Sequence, residues 1–292
     1  MQPVALGLTS LWDVAGRTDA YRQDVGLAPA VVQWYSDWAH ADFYAPNAEA
    51  ITQRGAVPLL SWEPDDYTMQ GQPMPRYAPR RIIEGDHDTY IRAFARQVRA
   101  WGKPLYLRFA WEMNGNWYAW GVNSVSNPQN TSADYVAMWR HVHGLFAAEG
   151  VTNVRWVWCP NVDNGDTASI ASLYPGDAYV DYVGLDGYNW GTLQNQWRTF
   201  SQVFAASYAQ VTTLTDKPMM INEVGSHEAP GDKARWITSA FLAELPAQFP
   251  RVRVVIWYQE NRETDWRYNS SPATFAAFRE VAHSPLYRGR MP

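Results

Sequence analysis

Short apolar runs alternate along the whole chain with longer stretches in which apolar and polar residues recur at helical spacing. Each short run is five to seven residues long and is rich in Val, Ile, Leu or aromatic residues. That composition is typical of strands buried on both faces, as in a parallel sheet. The predicted strands lie near Val4–Leu8, Ala30–Trp34, Val57–Trp62, Pro104–Phe109, Val154–Trp158, Val180–Asp186, Pro218–Asn222 and Val252–Trp257.

The stretches between these strands predict helices, of which the first and the fifth are expected to be short. An aspartate cap, Asp86 or Asp88, is expected for the third helix, and Asp134 lies at the start of the fourth. The predicted helices lie near Thr18–Val25, Asn47–Arg54, Asp88–Trp101, Ala133–Glu149, Thr167–Leu173, Thr199–Leu214, Lys233–Gln248 and Pro272–Ala282.

Eight strands that alternate with helical crossovers predict one α/β domain, a (β/α)8 TIM barrel spanning residues 1–292. A doubly wound open sheet is the alternative fold. The barrel is favoured because polar and aromatic residues follow nearly every strand, and in a barrel these strand ends converge on one face. We find no linker or repeat, and we expect the loop Glu63–Asp86 to form a wall of a cleft.

The aromatic content suggests a ligand with apolar flat faces. The chain has 16 Trp, 17 Tyr and 10 Phe, more than a core readily holds, so several are expected to line an open cleft. The formal net charge is −5 and no Lys/Arg run occurs, which argues against nucleic acid or a membrane surface as partner. No apolar run is long enough to span a bilayer. We expect a monomer whose partner is a polysaccharide or oligosaccharide.

The cysteine count and the opening residues both bear on the cellular compartment. Cys159 is the one cysteine, so no intrachain disulfide can form, which is compatible with either a cytosolic or a secreted protein. The opening residues Met1–Val4 lack the basic and apolar regions of a signal peptide.

The segment from Arg108 to Gly121 is the strongest functional signal. It places one carboxylate, Glu112, among three tryptophans, a tyrosine and two asparagines. Aromatic neighbours solvate a carboxylate poorly, so the pKa of Glu112 is expected to rise. A raised pKa keeps the group protonated near neutral pH, as a general acid must be. Indole faces also suit the C–H faces of sugars, so the segment indicates the acid half of a polysaccharide-cleaving site.

Glu223 is the predicted partner of Glu112. It follows the apolar run of the seventh predicted strand, where a charged residue does not serve the core. Retaining glycosidases hold two carboxyl groups about 5–5.5 Å apart, one as acid/base and one as nucleophile. The ends of strands four and seven lie across a barrel mouth, so we expect the two carboxyl groups within about 6 Å. A salt bridge under a loop is the alternative role of Glu223.

Two further strand ends carry candidate residues. Tyr188 is expected to donate its hydroxyl to the nucleophile or to pack at the rim. Asp186 is expected to orient Arg108 or a substrate hydroxyl, or else to make a structural hydrogen bond. Trp257 is expected to form the floor under the reacting sugar or to plug the barrel. The candidate substrate-binding residues are Trp111, Asn114, Trp117, Trp120, Trp190 and Trp257.

Four motifs, taken in chain order, resemble those of glycoside hydrolase family 26. They fall on predicted strands four, six, seven and eight, so the resemblance covers nearly the whole chain. The motifs are Arg108-x-x-x-Glu-Met-Asn-Gly-x-Trp-Tyr-x-Trp-Gly121, Asp186-Gly-Tyr-Asn-Trp190, Asn222-Glu-x-Gly225, and Trp257-x-x-Glu-Asn261 followed by Asp265-Trp-Arg-x-Asn-Ser-Ser271.

Members of that family are retaining endo-glycanases on (β/α)8 barrels, acting on β-mannans, mixed-linkage β-1,3-1,4-glucans or β-1,3-xylans. The resemblance implies Glu112 as acid/base, Glu223 as nucleophile and Tyr188 as the nucleophile's hydrogen-bond partner. It also implies an extracellular protein. Around the cleavage point the resemblance implies Arg108, Trp117, Asp186 and Trp257.

Trp111 separates this chain from the mannan-cleaving members, which resemble one another in having His before the acid. A histidine beside the reacting sugar can hydrogen-bond its hydroxyls, whereas the indole of Trp111 offers a flat face and one donor. This difference argues against mannan, so mixed-linkage β-glucan is the expected substrate. The alternatives are an endo-β-1,4-mannanase, a glycosidase of bacterial exopolysaccharide and a non-catalytic polysaccharide-binding barrel.

No metal or organic cofactor is expected, because double displacement by two carboxyl groups needs neither. The segment Asp163–Asp166 superficially resembles part of a calcium loop but lacks the spacing and the closing Glu, so a solvated turn is favoured. His141 and His143, two apart on a predicted helix, do not share a face, which argues against a zinc pair.

Overall fold

The computed structural model describes residues 2–163 and 168–291 of the chain. Residues 164–167 include most of the segment Asp163–Asp166 and the first residue of the predicted fifth helix. The solvated turn expected in that segment, and the start of that helix, therefore lie outside the described residues.

The eight predicted strands are confirmed, and they close into one parallel barrel in which β8 pairs with β1. The closed barrel excludes the open-sheet alternative. The strands are β1 (Ala5–Ser10), β2 (Val31–Asp37), β3 (Val57–Glu63), β4 (Leu105–Phe109), β5 (Val154–Trp158), β6 (Tyr182–Asn189), β7 (Met219–Ser226) and β8 (Val252–Trp257).

Helices flank the barrel on its outer side, as expected for strands joined by right-handed crossovers. In the described part of the chain, none of them is both long and apolar enough to cross a membrane. The helices are α1 (Val14–Val25), α2 (Ala45–Gln53), α3 (Pro79–Ile83), α4 (Asp88–Trp101), α5 (Ser132–Ala148), α6 (Phe200–Leu214), α7 (Lys233–Ser239), α8 (Leu245–Gln248) and α9 (Pro272–His283).

Helix ends differ from the sequence predictions where capping decides them. α1 begins earlier than predicted, because Asp13 accepts a hydrogen bond from the Gly16 N–H and caps the helix. The predicted aspartate cap of α4 is wrong, since His87 precedes that helix and makes no side-chain cap bond. α5 is capped by Thr131, whose hydroxyl and the Asp134 carboxylate form a reciprocal capping box.

Two other segments also depart from the predictions. The predicted helix Lys233–Gln248 is interrupted by a π-helical turn, Ala240–Glu244, which separates α7 from α8. The described part of the predicted fifth helix is a single 3-10 turn, Ile170–Leu173.

The barrel interior fixes which side chains reach the active face. Side chains alternate along a strand, so residues two and four positions beyond an interior residue point to the same side. On each strand, the side chains that point inward are therefore those an even number of positions from a residue of the barrel interior. A second, larger cluster of buried side chains lies between the strands and the helices. The interior is filled by Ala5, Val31, Leu59, Tyr106, Val157, Tyr182, Met220, Val254 and Ile256.

Candidate active site

The alternation brings charged residues together where the strands end. Arg108 lies two positions beyond the interior Tyr106 on β4, and Asp186 lies four beyond Tyr182 on β6. Both side chains are fully buried, and an Arg108 Nη1–H donates to Asp186 Oδ2 over 2.6 Å. Buried charges need such partners, because each loses its hydration. Asp186 thus takes the first of its predicted roles, which was to orient Arg108.

Glu223 reaches the site through an irregularity in β7. Simple alternation from the interior Met220 would send Asn222 inward and Glu223 outward. The pairing of β6 with β7 shifts register between Leu185 and Asp186, so that Asp186 lies opposite Glu223. A bulge of this kind re-aims side chains. As a result both Asn222 and Glu223 contact inward residues, Gln33 being a partner of each.

The Glu223 carboxylate is held by four donors. Tyr35 and Tyr188 donate their hydroxyls to Oε1 and Oε2 over 2.7 and 2.5 Å. The Arg108 guanidinium also donates to Oε1, and the Gln33 amide lies 3.4 Å from the same oxygen. Together these donors satisfy both oxygens of the Glu223 carboxylate. These contacts fix the rotamer of Glu223 and match the predicted position of Tyr188.

Glu112 lies on an unusual stretch of backbone. Ala110 and Glu112 have φ angles of 45° and 50°, in the left-handed region that favours glycine. The conformation is held by neighbouring strands: the Glu112 N–H donates to the Cys159 carbonyl over 2.8 Å, and the Ala110 N–H donates to the Trp62 carbonyl over 3.2 Å. Backbone strain maintained in this way is characteristic of functional sites.

The Glu112 carboxyl group lies in a poorly hydrated setting, with 7% of the residue exposed. The Trp117 indole N–H donates to Oε2 over 2.8 Å, and the Asn161 amide donates to Oε1 over 3.1 Å. Burial, followed by the nearby charge of Glu223, raises the pKa of Glu112 to about 8. The group is therefore protonated at neutral pH, as the sequence predicted, and is able to act as a general acid.

Carboxylate oxygens of Glu112, Asp186 and Glu223 lie within 4.8 Å of one another. An approach this close by Glu112 and Glu223 fits the gap of about 5–5.5 Å between the carboxyl groups of retaining glycosidases better than the roughly 6.5–9.5 Å of inverting ones. One carboxyl group is buried with a raised pKa, and the other faces a guanidinium. Two carboxyl groups in such different surroundings can take different roles, one as acid and the other as nucleophile.

Two pockets meet at this pair. The pocket that we call the Trp117 pocket is lined by Glu112 and Glu223 together with Trp117, Asn161 and Trp190. The pocket that we call the Trp12 pocket is lined by Glu223 but not by Glu112, and extends over the ends of β1, β2 and β3. The candidate catalytic groups therefore lie between two cavities and not at the end of one.

Comparison with known proteins agrees with this geometry. The model of glycosyl hydrolase family 26 matches residues 74–244 of the chain. The chain belongs to this family. Endoglucanase H of Acetivibrio thermocellus is 38% identical over 284 residues, which are 96% of this chain and 29% of that protein.

More distant relatives of this family 26 chain extend the comparison. A mannan endo-1,4-beta-mannosidase of Bacillus subtilis is 29% identical over 163 residues, covering 54% of this chain and 40% of that protein. The chain thus spans less than half the length of either relative. The crystal structure of the YdhT protein from Bacillus subtilis matches with a TM-score of 0.72 at 18% identity, over 97% of this chain and 85% of that one, and supports the fold alone.

Three of the predicted substrate-binding residues line the cavities of this family 26 barrel. Trp117, which is 37% exposed, and Trp190 border the Trp117 pocket. Trp111 borders the Trp12 pocket, although it is almost fully buried. Its ring lies under the Arg108 guanidinium, 4.5 Å from ring centroid to Cζ. Trp111 thus supports Arg108 as well as facing the cleft.

The other three predicted substrate-binding residues are corrected by the structure. Trp257 follows the interior residue Ile256, so alternation turns it outward, where it packs against Phe278 of α9. Trp120 is fully buried and donates its N–H to the Trp111 carbonyl over 2.6 Å. Asn114 uses its amide on the Asn161 backbone, over 2.9 Å in both directions. Asn114 therefore positions the residue that contacts Glu112.

The sequence interpretation missed several residues of the site. Four of them could have been predicted from strand alternation, because each lies an even number of positions beyond a residue of its strand that fills the barrel interior. Trp266 was missed for another reason: it lies in the loop after β8, and it borders the Trp117 pocket. The residues that alternation would have found are Gln33, Tyr35, Asn161 and Tyr258.

Gly115→Ala is expected to lower kcat/KM about tenfold while changing Tm little. A Cβ at Gly115 would lie 2.2–2.4 Å from three atoms of the Trp117 ring, so the ring must move and its bond to Glu112 is lost. Leaving a buried hydrogen-bonding group without its partner costs about 1–3 kcal/mol, and 1.4 kcal/mol is tenfold. Kinetics and thermal melting of the variant measure this.

Gly144→Ala is the matched control. Gly144 is exposed on α5, and a Cβ at this position would meet no atom within 4 Å. It should keep full activity and gain a few tenths to about 1 kcal/mol of stability. Wild-type kinetics for Gly115→Ala would contradict the role given to Trp117.

Proposed function

We propose that this chain is a retaining endo-β-glycanase whose preferred substrate is mixed-linkage β-1,3-1,4-glucan. The observation that carries the mechanism is the Glu112–Glu223 pair, with oxygens within 4.8 Å of each other at the end of the barrel. Glycosyl hydrolase family membership supports the reaction class.

In the first proposed step Glu112 transfers its proton to the glycosidic oxygen while Glu223 attacks the anomeric carbon. The bond to the leaving sugar breaks as the bond to the Glu223 carboxylate forms. In the second step water attacks that carbon, and Glu112, now ionised, accepts the water's proton. Glu223 leaves as a carboxylate, so both groups regain their starting states.

The surrounding residues orient the nucleophile. Tyr35, Tyr188 and Arg108 all donate to Glu223, and Asp186 holds Arg108 in turn. As Glu223 becomes an ester its charge disappears. Hydrogen bonds and ion pairs that favour the free carboxylate therefore also favour its departure in the second step.

The position of the pair supports endo cleavage. Glu112 must reach the leaving oxygen, so the departing sugar occupies the Trp117 pocket that Glu112 lines. The sugar that stays on Glu223 extends into the Trp12 pocket. A cleft with room on both sides accepts the middle of a chain. A polymeric substrate also fits action outside the cell.

Two observations support a glucan as substrate. Endoglucanase H matches 96% of this chain, over 29% of its own length, and its name denotes a glucan substrate for that protein. Trp111 places an indole in the Trp12 pocket, and its N–H has no partner among the described residues. Its bulk is proposed to exclude the axial C2 hydroxyl of mannose.

A β-1,4-mannan is the second candidate substrate. It is favoured by the likeness to the Bacillus subtilis mannosidase, whose name denotes mannan cleavage by that protein. That match covers 54% of this chain at 29% identity, against 96% at 38% for Endoglucanase H. Glucan is therefore placed first.

A panel of soluble polysaccharides tests this order. We expect reducing-sugar release from mixed-linkage β-glucan to exceed release from galactomannan by at least about tenfold, since discrimination by shape alone is worth about 1–3 kcal/mol. The products should be oligosaccharides. Faster release from mannan would move the chain to the second candidate, and binding without release from any polymer would support a non-catalytic barrel.

A further inference from the structure

A buried lysine lies away from the two pockets and from the catalytic pair. Lys233 is the first residue of α7, and only 1% of it is exposed. Its ammonium lies 3.9 Å from Glu228, whose side chain is 41% exposed. Burial lowers the pKa of Lys233 to about 8. A buried charge is costly unless its donors are satisfied, so the partners of Lys233 indicate what it does.

The Lys233 ammonium binds the loop that follows β8. Its Nζ donates to the carbonyls of Asp265 and Arg267 over 2.8 and 2.9 Å, and to Ser270 Oγ over 2.9 Å. An ammonium group has three donors, and these three contacts use all of them. The loop after β8 is therefore held at three points by the start of α7.

Trp266 lies between the two residues whose carbonyls Lys233 binds. Its own carbonyl accepts the Trp257 indole N–H over 3.0 Å, so three successive carbonyls of the loop bind buried side chains. The Trp266 indole N–H donates to Glu263 Oε2 over 3.0 Å. The backbone on both sides of the Trp266 ring is therefore fixed.

The Trp266 ring contacts a residue that orients the candidate nucleophile. Its centroid lies 4.9 Å from that of Tyr188 and 5.0 Å from that of Trp190, and Trp266 borders the Trp117 pocket. The Tyr188 hydroxyl donates to Glu223 Oε2 over 2.5 Å. A chain of contacts thus runs from Lys233 through its loop, Trp266 and Tyr188 to Glu223.

We propose that Lys233 is a positioning residue for hydrolysis, because its ammonium fixes the loop through which Trp266 holds Tyr188 against Glu223. This rests on the proposed function for the role of Glu223. Lys233 borders neither pocket, so it acts through the loop and not on the sugar. A displacement of about 1 Å at a reacting group can lower a rate about 10²-fold, so losing this anchor should affect turnover.

Lys233→Met tests the anchor, because it removes the ammonium and keeps an unbranched side chain of similar length. Three acceptors of the loop lose their donor, so kcat/KM on the polysaccharide that is cleaved fastest should fall at least about tenfold. The loss should lie mainly in kcat, since the nucleophile is affected. Kinetics are measured well below Tm and expressed per folded molecule.

Two control variants separate a positioning role from a structural one. Lys103, whose side chain is 45% exposed, pairs with Glu49 over 2.6 Å, and Lys103→Met should keep wild-type kinetics. Ile51 is fully buried in α2, so Ile51→Ala should lower Tm but keep wild-type kcat/KM. If Lys233→Met also lowers Tm alone, the positioning role is excluded.

A double-mutant cycle tests whether Lys233 acts through Trp266. In a Trp266→Ala background, adding Lys233→Met should lower kcat/KM less than about threefold, because the ring that the anchor positions is already absent. A loss as large as in the wild-type background would show that Lys233 acts by another route and would contradict the proposal. A cycle with Tyr188→Phe, which removes one hydroxyl, should show the same coupling in kcat.

Hydrogen exchange followed by mass spectrometry tests the loop without requiring turnover. Amides of residues 258–271 should exchange at least about tenfold faster in Lys233→Met than in the wild-type chain or Lys103→Met. Faster exchange with an inactive wild-type chain would support the anchor and contradict the proposed function. Faster exchange with full activity of Lys233→Met would contradict the positioning role and leave the proposed function intact. Unchanged exchange would exclude the anchor itself.

Discussion

Replacing Glu223 by alanine should lower kcat roughly 10⁴-fold or more on every substrate, as expected when a covalent nucleophile is removed. The variant keeps Glu112 and both pockets, yet no group remains that can bond to the anomeric carbon. Small anions such as azide should restore part of the activity and give the glycosyl azide of inverted configuration. Steady-state kinetics with and without azide measure both effects.

A surface glutamate provides the control. Glu280 is exposed on α9, so Glu280→Ala should keep wild-type kinetics. Glu223→Ala also frees Tyr35, Tyr188 and Arg108 from their shared partner, so its melting temperature should be recorded. A folded Glu223→Ala chain with more than a few per cent of wild-type activity and no response to azide would exclude Glu223 as the nucleophile.

Replacing Glu112 by alanine should lower kcat/KM on polysaccharides by about 10²–10⁴, the usual contribution of general acid catalysis. An activated aryl glycoside should lose far less in kcat/KM, because its leaving group needs no proton. Its kcat should still fall, since the second step needs Glu112 as base. Equal losses of kcat/KM on both kinds of substrate would contradict the assignment.

The pH profile gives a second test of the same group. Burial beside Glu223 raises the pKa of Glu112 to about 8, so the protonated, active form prevails below that pH. On polysaccharide, kcat/KM should fall as pH rises through about 8. The Glu112→Ala chain acting on an activated aryl glycoside should lack this basic limb.

Much of the fold could be predicted from the sequence. Parallel strands buried on both faces are nearly continuous apolar runs, so all eight could be recognised locally. Caps were harder to predict, because several residues compete at each helix start. His87 precedes α4 without a side-chain cap bond, and Thr131 begins α5 with help from Asp134.

The site was predictable where motif and strand end coincide. Glu112, Glu223, Tyr188 and Arg108 all lie where they were expected, since each belongs to a strand or its immediate end. Trp257 was wrongly predicted to face the sugar. Its side chain points away from the barrel interior because it is the residue after the inward-facing Ile256, whatever its aromatic character. Long-range contacts outside the expected catalytic group, such as that of Asn114 with Asn161, were not predicted.

Asn114 and Trp111 show why such partners cannot be deduced from a motif alone. The amide of Asn114 is used by the backbone of Asn161, 47 positions away. Trp111 lies under Arg108 and beside Tyr35, which comes from another strand. Polar or aromatic character indicated that these residues matter, but only the fold decides whether they contact a ligand or another residue.

The stereochemistry of the first product tests the central claim, that Glu112 and Glu223 act by double displacement. Proton NMR of the anomeric signals during the first minutes of hydrolysis, on the polysaccharide that is cleaved fastest, distinguishes the two outcomes. Double displacement predicts that the β-anomer of the new reducing end appears first and then mutarotates to the equilibrium mixture. Initial appearance of the α-anomer would show single displacement by water and would contradict the roles given to Glu112 and Glu223.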